Sequence, residues 1–412
     1  MSWKPISKAY VFVIDKGREQ PIGVVDMSNG VYRFAYGKKW LANPNAFSID
    51  PINLPLSDKA YLSSKLWGCL EDATPDNWGK KVLLSLHSHQ PQNPIEWLLA
   101  SRGAGVGDLG FSATLTKLAK MNPTPRFDDL VSLMEVAHEI DEGDDNVDPA
   151  LAKMLWYGSS MGGARPKVTV SHDGYEWIAK LGRDEDVFDQ VRAEHACLNI
   201  ARTCGLDVSH SELIEVGGKP VLLVKRFDRA GDARLHYLSA YAAIHPERAK
   251  PNDPESIISY AKLAEIVRRI SSQPKKDLRE LFSRMSLNCL IGNSDDHLKN
   301  HGFLRIVRDE YRLSPAFDIL PHPEQMSEQA LMVGKYGRRS TVENVLSGCE
   351  NFGLSHAEAK AIVDSQIKVL SKSHDFFREA GMKERDIRLL HKACNRLTPQ
   401  KQFDNQLFEN TP

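Results

Sequence analysis

The sequence has no Cys-x-x-Cys pair. Its six cysteines, Cys69, Cys197, Cys204, Cys289, Cys349 and Cys394, stand singly and in no zinc-ligand spacing. Free thiols in a reducing compartment follow. No uncharged run is long enough to cross a bilayer, and Met1-Ser2-Trp3-Lys4 leads into a short apolar strand rather than a signal-peptide core, so a cytoplasmic location is expected. No charge sign is in excess: 53 basic side chains face 54 acidic ones, for a net charge of −1. That balance disfavours a dedicated DNA-binding chain, although a local basic patch fits within a neutral total. Internal repeats and low-complexity segments are also lacking. With 42% hydrophobic residues in 412, disorder, collagen and small disulfide scaffolds are excluded, and at roughly 150 residues per domain two or three domains are expected.

Strand signals come first. Tyr10-Val11-Phe12-Val13-Ile14 reads as one strand, Ile22 to Val25 as a second and Val31 to Tyr36 as a third, with the Asn-Gly turn of Ser28-Asn29-Gly30 between the last two. Thr74 followed by Pro75 reads as the capped start of a helix striped by Trp78, Val82, Leu83 and Leu86. Residues 1–138 thus form a small α+β unit. In residues 139–150 the carboxylates of the run Glu139 to Asp148 miss the positions that wrap a calcium ion, so an acidic, solvated linker is expected. Short strands dominate the front of residues 151–252 and helical spacing dominates 253–412, where Ser355 and Glu358 form a capping box. The expected fold class is α+β in two lobes, strand-rich in front and helical behind, with the extra unit at the N-terminus.

Two glycine-rich stretches compete as phosphate sites. Gly105-Val106-Gly107-Asp108-Leu109-Gly110 satisfies G-x-G-x-x-G, but the residues before it look helical and those after it look like strand, the reverse of a dinucleotide site. It reads as a helix-to-strand turn. The second, Ser159-Ser160-Met161-Gly162-Gly163-Ala164-Arg165-Pro166-Lys167, precedes a strand; small residues there let backbone N–H groups approach a phosphate, and Arg and Lys supply charge. By itself it is equally consistent with a flexible loop.

Its neighbours sharpen it. The strand Glu176-Trp177-Ile178-Ala179-Lys180-Leu181 carries Lys180 near its end, and the next helix places Glu194 on the apolar stripe of Phe188, Val191, Leu198 and Ala201. A carboxylate turned towards a core needs a partner, and Lys180 is the candidate. The apolar strand Pro220 to Val224 then exits through Lys225-Arg226-Phe227-Asp228-Arg229, a stretch suited to lie beside a planar base and equally consistent with a plain strand end.

Downstream, a helix bearing Leu278, Leu281, Phe282, Met285 and Cys289 stops at Gly292, and Asn293-Ser294-Asp295-Asp296-His297-Leu298-Lys299-Asn300 follows. Past a predicted hairpin comes Ser314-Pro315-Ala316-Phe317-Asp318. Phosphoryl transfer needs an acid to orient the nucleophilic hydroxyl and oxygen ligands for Mg²⁺. Protein kinases supply an Asp, an Asn five residues later and a second Asp beyond a short hairpin; Asp295, Asn300 and Asp318 have that order and spacing.

These segments, in this order, resemble the HipA-type serine/threonine kinases, toxins of bacterial toxin–antitoxin pairs. The resemblance covers most of the chain and implies the cofactors ATP and Mg²⁺. It implies that Asp295 is the catalytic acid/base and that Asn300 and Asp318 hold Mg²⁺. The ATP contacts it implies are Ser160, Met161, Gly162, Gly163, Ala164, Lys167, Lys180, Glu194, Lys225, Phe227, Asp228, His297, Lys299, Asn300 and Asp318. Ser160 falls where the family is autophosphorylated, an event that ejects the glycine-rich loop; a phosphate adds close to two negative charges where ATP must enter. Ser159 stands beside it and leaves the site open between the two. The Gly-Gly-Ala-Arg-Pro-Lys run also departs from the Gly-Ala-Gln-Glu-Lys-like run of founding members, which bears on the loop's phosphate contacts.

The resemblance further implies a helix-turn-helix antitoxin of HipB type that carries the kinase to operator DNA, with any direct DNA contact secondary, through side chains such as Lys335, Arg338 and Arg339. It implies a protein substrate, an aminoacyl-tRNA synthetase; the lack of a long uncharged run gives no expectation of a membrane partner. Two other readings remain: a kinase-shaped co-repressor with little catalysis, and a kinase of a small molecule or lipid headgroup.

Overall fold

The computed structural model describes residues 5–86, 90–101, 103–116, 118, 123–144, 147–158, 163–245, 258–324, 327–395 and 397. Strands β1 (Lys8–Asp15), β2 (Arg18–Ser28), β3 (Val31–Tyr36), β4 (Tyr61–Ser63) and β5 (Leu109–Ser112) form an antiparallel sheet in the order β4-β3-β2-β1-β5. The Asn-Gly turn joins β2 to β3 with φ of 50° at Asn29 and 74° at Gly30, the left-handed pair that matches strand twist in a two-residue hairpin. Four helices accompany this sheet: α1 (Lys38–Leu41), α2 (Gly68–Glu71), α3 (Asn77–Leu86) and α4 (Pro94–Ser101).

Helix α3 starts two residues later than Thr74-Pro75 suggests. The Thr74 hydroxyl donates to the Glu71 carbonyl at 2.7 Å and closes the turn after α2, while the Asp76 carbonyl takes the Lys80 N–H at 2.7 Å. Asp76 therefore occupies the cap position. The expected linker is also shorter at its front, because Glu139–Glu142 form the last turn of α5 (Leu130–Glu142). Ile140 is buried there and the Asp141 carboxylate is held by Lys81 and Arg183, so the helix runs on to Gly143 at φ 82°. Helix α6 (Pro149–Gly158) follows, where strand had been expected to resume.

A second sheet, β6 (Lys167–His172), β7 (Tyr175–Leu181), β8 (Ser211–Val216) and β9 (Lys219–Lys225), runs in the order β6-β7-β9-β8. Helices α3, α5 and α6 cover one of its faces through Trp78, Val82, Leu133, Leu155, Val168, Ala179 and Val221. Helix α7 (Gln190–Thr203) lies against β8 and β9, capped at its start by Asp189, whose carboxylate accepts the Arg192 N–H.

Past β9 come the two-residue strands β10 (Arg229–Ala230) and β11 (Ala233–Arg234), then β12 (Tyr237–Ser239), which pairs with β13 (Gly302–Val307) and so with β14 (Glu310–Leu313). The rear of the molecule is helical: α8 (Ala240–Ile244), α9 (Tyr260–Ile270), α10 (Pro274–Ile291), α11 (Val342–Ser347), α12 (His356–Leu370), α13 (Ser373–Glu379) and α14 (Glu384–Cys394). The capping box of α12 forms as expected between Ser355 and Glu358. One buried cluster runs from Val11 and Phe34 in the first sheet through Leu238 and Ala242 to Leu281, Phe282 and Ile387. The N-terminal unit and the helical lobe thus share a core.

The helix-to-strand turn expected at Gly105–Gly110 is present between α4 and β5, and it is bolted to the exit of β9. The Gly105 carbonyl accepts from Arg226 at 3.2 Å and from Arg229 at 3.1 Å, the Gly107 carbonyl accepts from Arg229 at 2.9 Å, and Arg234 donates to the Gly103 carbonyl. A Cβ on Gly105 would lie 2.5 Å from the Ala73 carbonyl oxygen. Gly105→Ala should therefore lower stability by about 1–3 kcal/mol through forced backbone shifts. The check is the urea midpoint with the folded-state circular dichroism unchanged; an unaltered midpoint would show that this junction yields freely.

Candidate active site

Lys180 sits on β7, and β7 is central in its sheet, which fixes the stem of this lysine between β6 and β9. Its ammonium donates to Glu194 Oε1 on α7 at 2.6 Å and to Asp318 Oδ1 at 3.1 Å. The Glu194 side chain is 9% exposed, that of Lys180 22% and that of Asp318 51%, so the triad runs from the core to an open cleft. Burial alone would lower the lysine's proton affinity, but Asp318 and Glu194 more than offset it and hold the ammonium above its ordinary range. Reciprocally, Lys180 outweighs burial and keeps the Asp318 carboxyl below the usual carboxylate range. Burial raises the Glu194 carboxyl, against the pull of Lys180. The pairing of Lys180 with Glu194 is as expected from the helical stripe.

Asp318 follows the β13–β14 hairpin and takes a left-handed backbone, φ 60°. Asn293 secures it: its amide donates to the Asp318 carbonyl at 3.3 Å and to Asn288 Oδ1 at 3.1 Å. Asn288 in turn donates to the Tyr260 hydroxyl at 3.3 Å, and that hydroxyl donates to Asp296 Oδ2, which also meets His301 Nε2 at 3.0 Å. The two adjacent aspartates therefore part company. Asp296 is consumed by this buried network, whereas Asp295 is exposed. His297 and Lys299 are also exposed, Asn300 is buried in a short 3₁₀ turn, and the Lys299 ammonium lies 5.4 Å from the Tyr241 ring centre.

The described part of the glycine-rich loop begins at Gly163; Ser159, Ser160, Met161 and Gly162 lie outside the described residues. A Cβ on Gly163 would collide with the Lys167 ammonium, which folds back beneath this loop. Ala164 is exposed and its carbonyl takes Arg183 at 3.2 Å. Phe227 stacks its ring 5.5 Å from Phe317 and 6.2 Å from Tyr237, and Lys225 turns its ammonium over Tyr175 at 3.0 Å. Asp228, expected among the nucleotide contacts, has its side chain engaged within the protein. Its carboxylate is fully buried, binds Arg226 and Arg229, and accepts the Gly107 N–H at 2.8 Å. Burial would raise that carboxyl, but the two guanidiniums hold it well below the usual range. It is a structural anion, turned towards the N-terminal unit.

Two neighbours of the loop had no signal in the sequence. Trp78 on α3 donates its indole N–H to the Lys167 carbonyl at 2.7 Å and its backbone N–H to the Gly163 carbonyl at 3.3 Å, holding both ends of the described loop. Asp76, two residues earlier, has a buried Oδ1 without a hydrogen-bond partner. Burial raises its carboxyl to about 6, against the pull of the Lys167, Lys299 and Lys80 ammoniums and the Trp78 N–H. Burial and the nearby Lys180 bring Lys167 down to about 8, with Asp76, Asp318 and Glu194 acting the other way. Only the chain crossing from the N-terminal unit brings these groups together.

Ammonium groups at Lys167, Lys180 and Lys299 suit a polyphosphate. The Asp318 carboxylate and Asn300 amide fit Mg²⁺, which takes one or two protein oxygens and keeps phosphate and water oxygens for the rest. Among the described residues no cluster of three or more His, Cys, Asp or Glu side chains could hold a metal by protein groups alone. No described helix is long and apolar enough to cross a membrane.

The Asp76 environment predicts a pH effect. A carboxyl at about 6 when folded, against 3.8 in the open chain, binds its proton more tightly in the folded state, so stability falls as pH rises through that interval. Asp76→Asn cannot ionise and should gain in Tm relative to wild type between pH 4 and pH 7. A Tm difference that is the same at both pH values would remove the buried carboxyl from this account.

A family model for the HipA-like C-terminal domain matches residues 159–373, and one for the HipA N-terminal domain matches residues 17–112. A protein named "Putative kinase Y4mE" of Sinorhizobium fredii is 28% identical over 146 residues, 34% of this chain and 34% of that protein. A "Putative kinase" of Haemophilus influenzae is 27% identical over 189 residues, 40% of this chain and 54% of that protein. The chain spans from about a third to about half the length of these curated relatives. HipA of Shewanella oneidensis MR-1, solved with HipB and operator DNA, superposes with a TM-score of 0.68 at 16% identity, over 94% of this chain and 97% of that one, a likeness of fold. With the C-terminal domain match spanning more than half of its length and the N-terminal domain match preceding it, the chain belongs to the HipA family.

Proposed function

We propose that the chain is an ATP- and Mg²⁺-dependent protein serine/threonine kinase, the toxin of a toxin–antitoxin pair. The observation that carries this reading is the lysine shared between a helix carboxylate and the Asp318 carboxylate at 2.6 and 3.1 Å. In that arrangement Lys180 receives the phosphates of ATP, Glu194 keeps its ammonium aimed into the cleft, and the Asp318 carboxylate would be available to hold the metal. Lys167 and Lys299 add positive charge along the polyphosphate, with Gly163 and Ala164 as its cover. The Phe227 ring and the backbone near Lys225 border the adenine. When bound, Mg²⁺ held by Asn300 and Asp318 would neutralise charge on the β- and γ-phosphates.

Asp295 is the proposed acid/base. The acceptor hydroxyl attacks the γ-phosphorus and its proton passes to the Asp295 carboxylate, while the bond from the γ-phosphorus to the bridging oxygen breaks and ADP leaves. The buried Asp296–His301–Tyr260 network keeps the loop beneath Asp295 in place during that step. The proposed acceptor is a serine or threonine of a protein, an aminoacyl-tRNA synthetase in keeping with the family resemblance, whose phosphorylation would arrest translation. Self-phosphorylation at Ser159 or Ser160 would end activity by placing a dianion where ATP enters. A HipB-like helix-turn-helix antitoxin is the proposed partner, with operator DNA reached mainly through it, as the Shewanella HipA was solved with HipB and its operator.

Intact mass before and after incubation with MgATP tests the reading. One added phosphate at Ser159 or Ser160 is expected in wild type, and a rate at least about a hundredfold lower in Asp295→Ala, the usual scale for losing an acid/base group. Wild type that is unmodified as isolated and inert towards MgATP would replace this reading by the co-repressor.

A further inference from the structure

The segment that follows Asp318 builds a braced turn beside Asp295. The Ala330 N–H donates to the Ser294 carbonyl at 3.0 Å, one residue before the proposed catalytic aspartate, and the His322 N–H donates to the Gly292 carbonyl at 2.8 Å. From there the chain folds back on itself. Ser340 N–H meets the Ser327 carbonyl at 2.8 Å, Gln329 N–H meets the Arg338 carbonyl at 2.8 Å and Val333 N–H meets the Gly337 carbonyl at 2.9 Å, which leaves Lys335 and Tyr336 at the tip.

Helix α11 fixes that tip. Buried Asn344 accepts the Tyr336 N–H at 2.9 Å and donates to the carbonyls of Gly337 at 3.0 Å and Arg339 at 2.7 Å, while Ser347 Oγ accepts the Lys335 N–H at 2.9 Å. A Cβ on Gly334 would overlap the Asn344 carbonyl oxygen, so the approach needs glycine. The backbone is thereby used up inward and the side chains are shown outward: Tyr336 is 48% exposed, and Lys335 and Arg339 are exposed. Neither cation has a carboxylate within ion-pair distance among the described residues, although Glu328 pairs by its backbone with Arg339. Arg338 instead folds inward and donates to the Ala330 carbonyl. Rigid display of an aromatic ring and two unpaired cations contributes nothing to a core and is how a recognition surface is preorganised.

We propose that the Lys335–Arg339 turn is the docking surface for the protein substrate and selects acidic residues flanking the acceptor hydroxyl. This rests on the kinase reading above. Five residues separate Ala330 from Lys335, a reach of at most about 18 Å, which an extended peptide covers in as many residues of its own. The flank of a substrate with its hydroxyl at Asp295 is therefore within reach of the turn. Two exposed cations with no carboxylate in ion-pair distance among the described residues match a short acidic segment, with Glu328 opposite Arg339 limiting how much acidic charge the turn accepts. They form too small a patch for duplex DNA, which is held by many phosphate contacts.

The test uses the full chain with MgATP and three serine peptides that differ only in flanks of Asp, Ala or Lys. Wild type should favour the Asp-flanked peptide over the Ala-flanked one by about fivefold in kcat/KM, the scale of two exposed ion pairs. The double variant Lys335→Glu, Arg339→Glu should favour the Lys-flanked peptide instead, with MgATP affinity and Tm as in wild type, and Tyr336→Ala should raise KM for all three peptides. Equal rates on the three peptides in wild type, or a preference that survives the charge reversal, would overturn the proposal. So would a charge reversal that weakens duplex DNA binding and leaves peptide choice intact. Wild type that binds no MgATP would instead bring down the kinase reading, and the docking proposal with it.

Discussion

Everything at the cleft depends on one ammonium. Lys180 is offered by a central strand, Glu194 by a helix behind it and Asp318 by a loop of the other lobe, and a single positive charge between them ties three separately folded elements together. Removing either carboxylate would leave a partly buried cation short of a partner, which is why the lysine's protonation and its position are coupled. The Asp318 end of the triad is the solvent-facing one, so the arrangement is firm on its Glu194 side and exchangeable on the side where a metal and phosphates would enter.

Around that centre, the molecule solves a connection problem twice with buried polar groups. At the exit of β9, Arg226, Asp228 and Arg229 bind the carbonyls and N–H of the Gly105–Gly107 turn, and this joins the N-terminal unit to the strand paired with that of Lys180. At the glycine-rich loop, Trp78 reaches from the same unit to the carbonyls of Gly163 and Lys167. Such groups are costly to bury unless satisfied, so they hold one geometry rather than several. The N-terminal unit is thus part of how the cleft is built, an interdependence consistent with the shared core between the first sheet and the helical lobe.

Local signals in the sequence were accurate where the physics is local. The Asn29-Gly30 turn, the Ser355–Glu358 box, the αL stop of α10 at Gly292 and the Glu194 stripe each depend on a few neighbouring residues. Where a distant contact competes, local reading slipped: Thr74 closes the preceding turn instead of capping α3, and Glu139–Glu142 stay helical because Lys81 and Arg183 hold Asp141. Asp228, which the resemblance puts among the ATP contacts, has its carboxylate taken up by two arginines close at hand.

What the sequence by itself determined is the inventory and order of the chemistry: a glycine-rich loop, a strand lysine, a helix glutamate, and Asp295, Asn300 and Asp318 at kinase spacing. Residue type and spacing are properties of linear order, so they are legible without the fold. Only the tertiary structure decided which of two adjacent aspartates faces solvent, that Asp76 and Trp78 border the glycine-rich loop, and that Lys335 and Arg339 stand without a carboxylate partner among the described residues. Those outcomes depend on burial and on partners far away in the chain, and desolvation acts on a group's surroundings in space, which linear order does not encode.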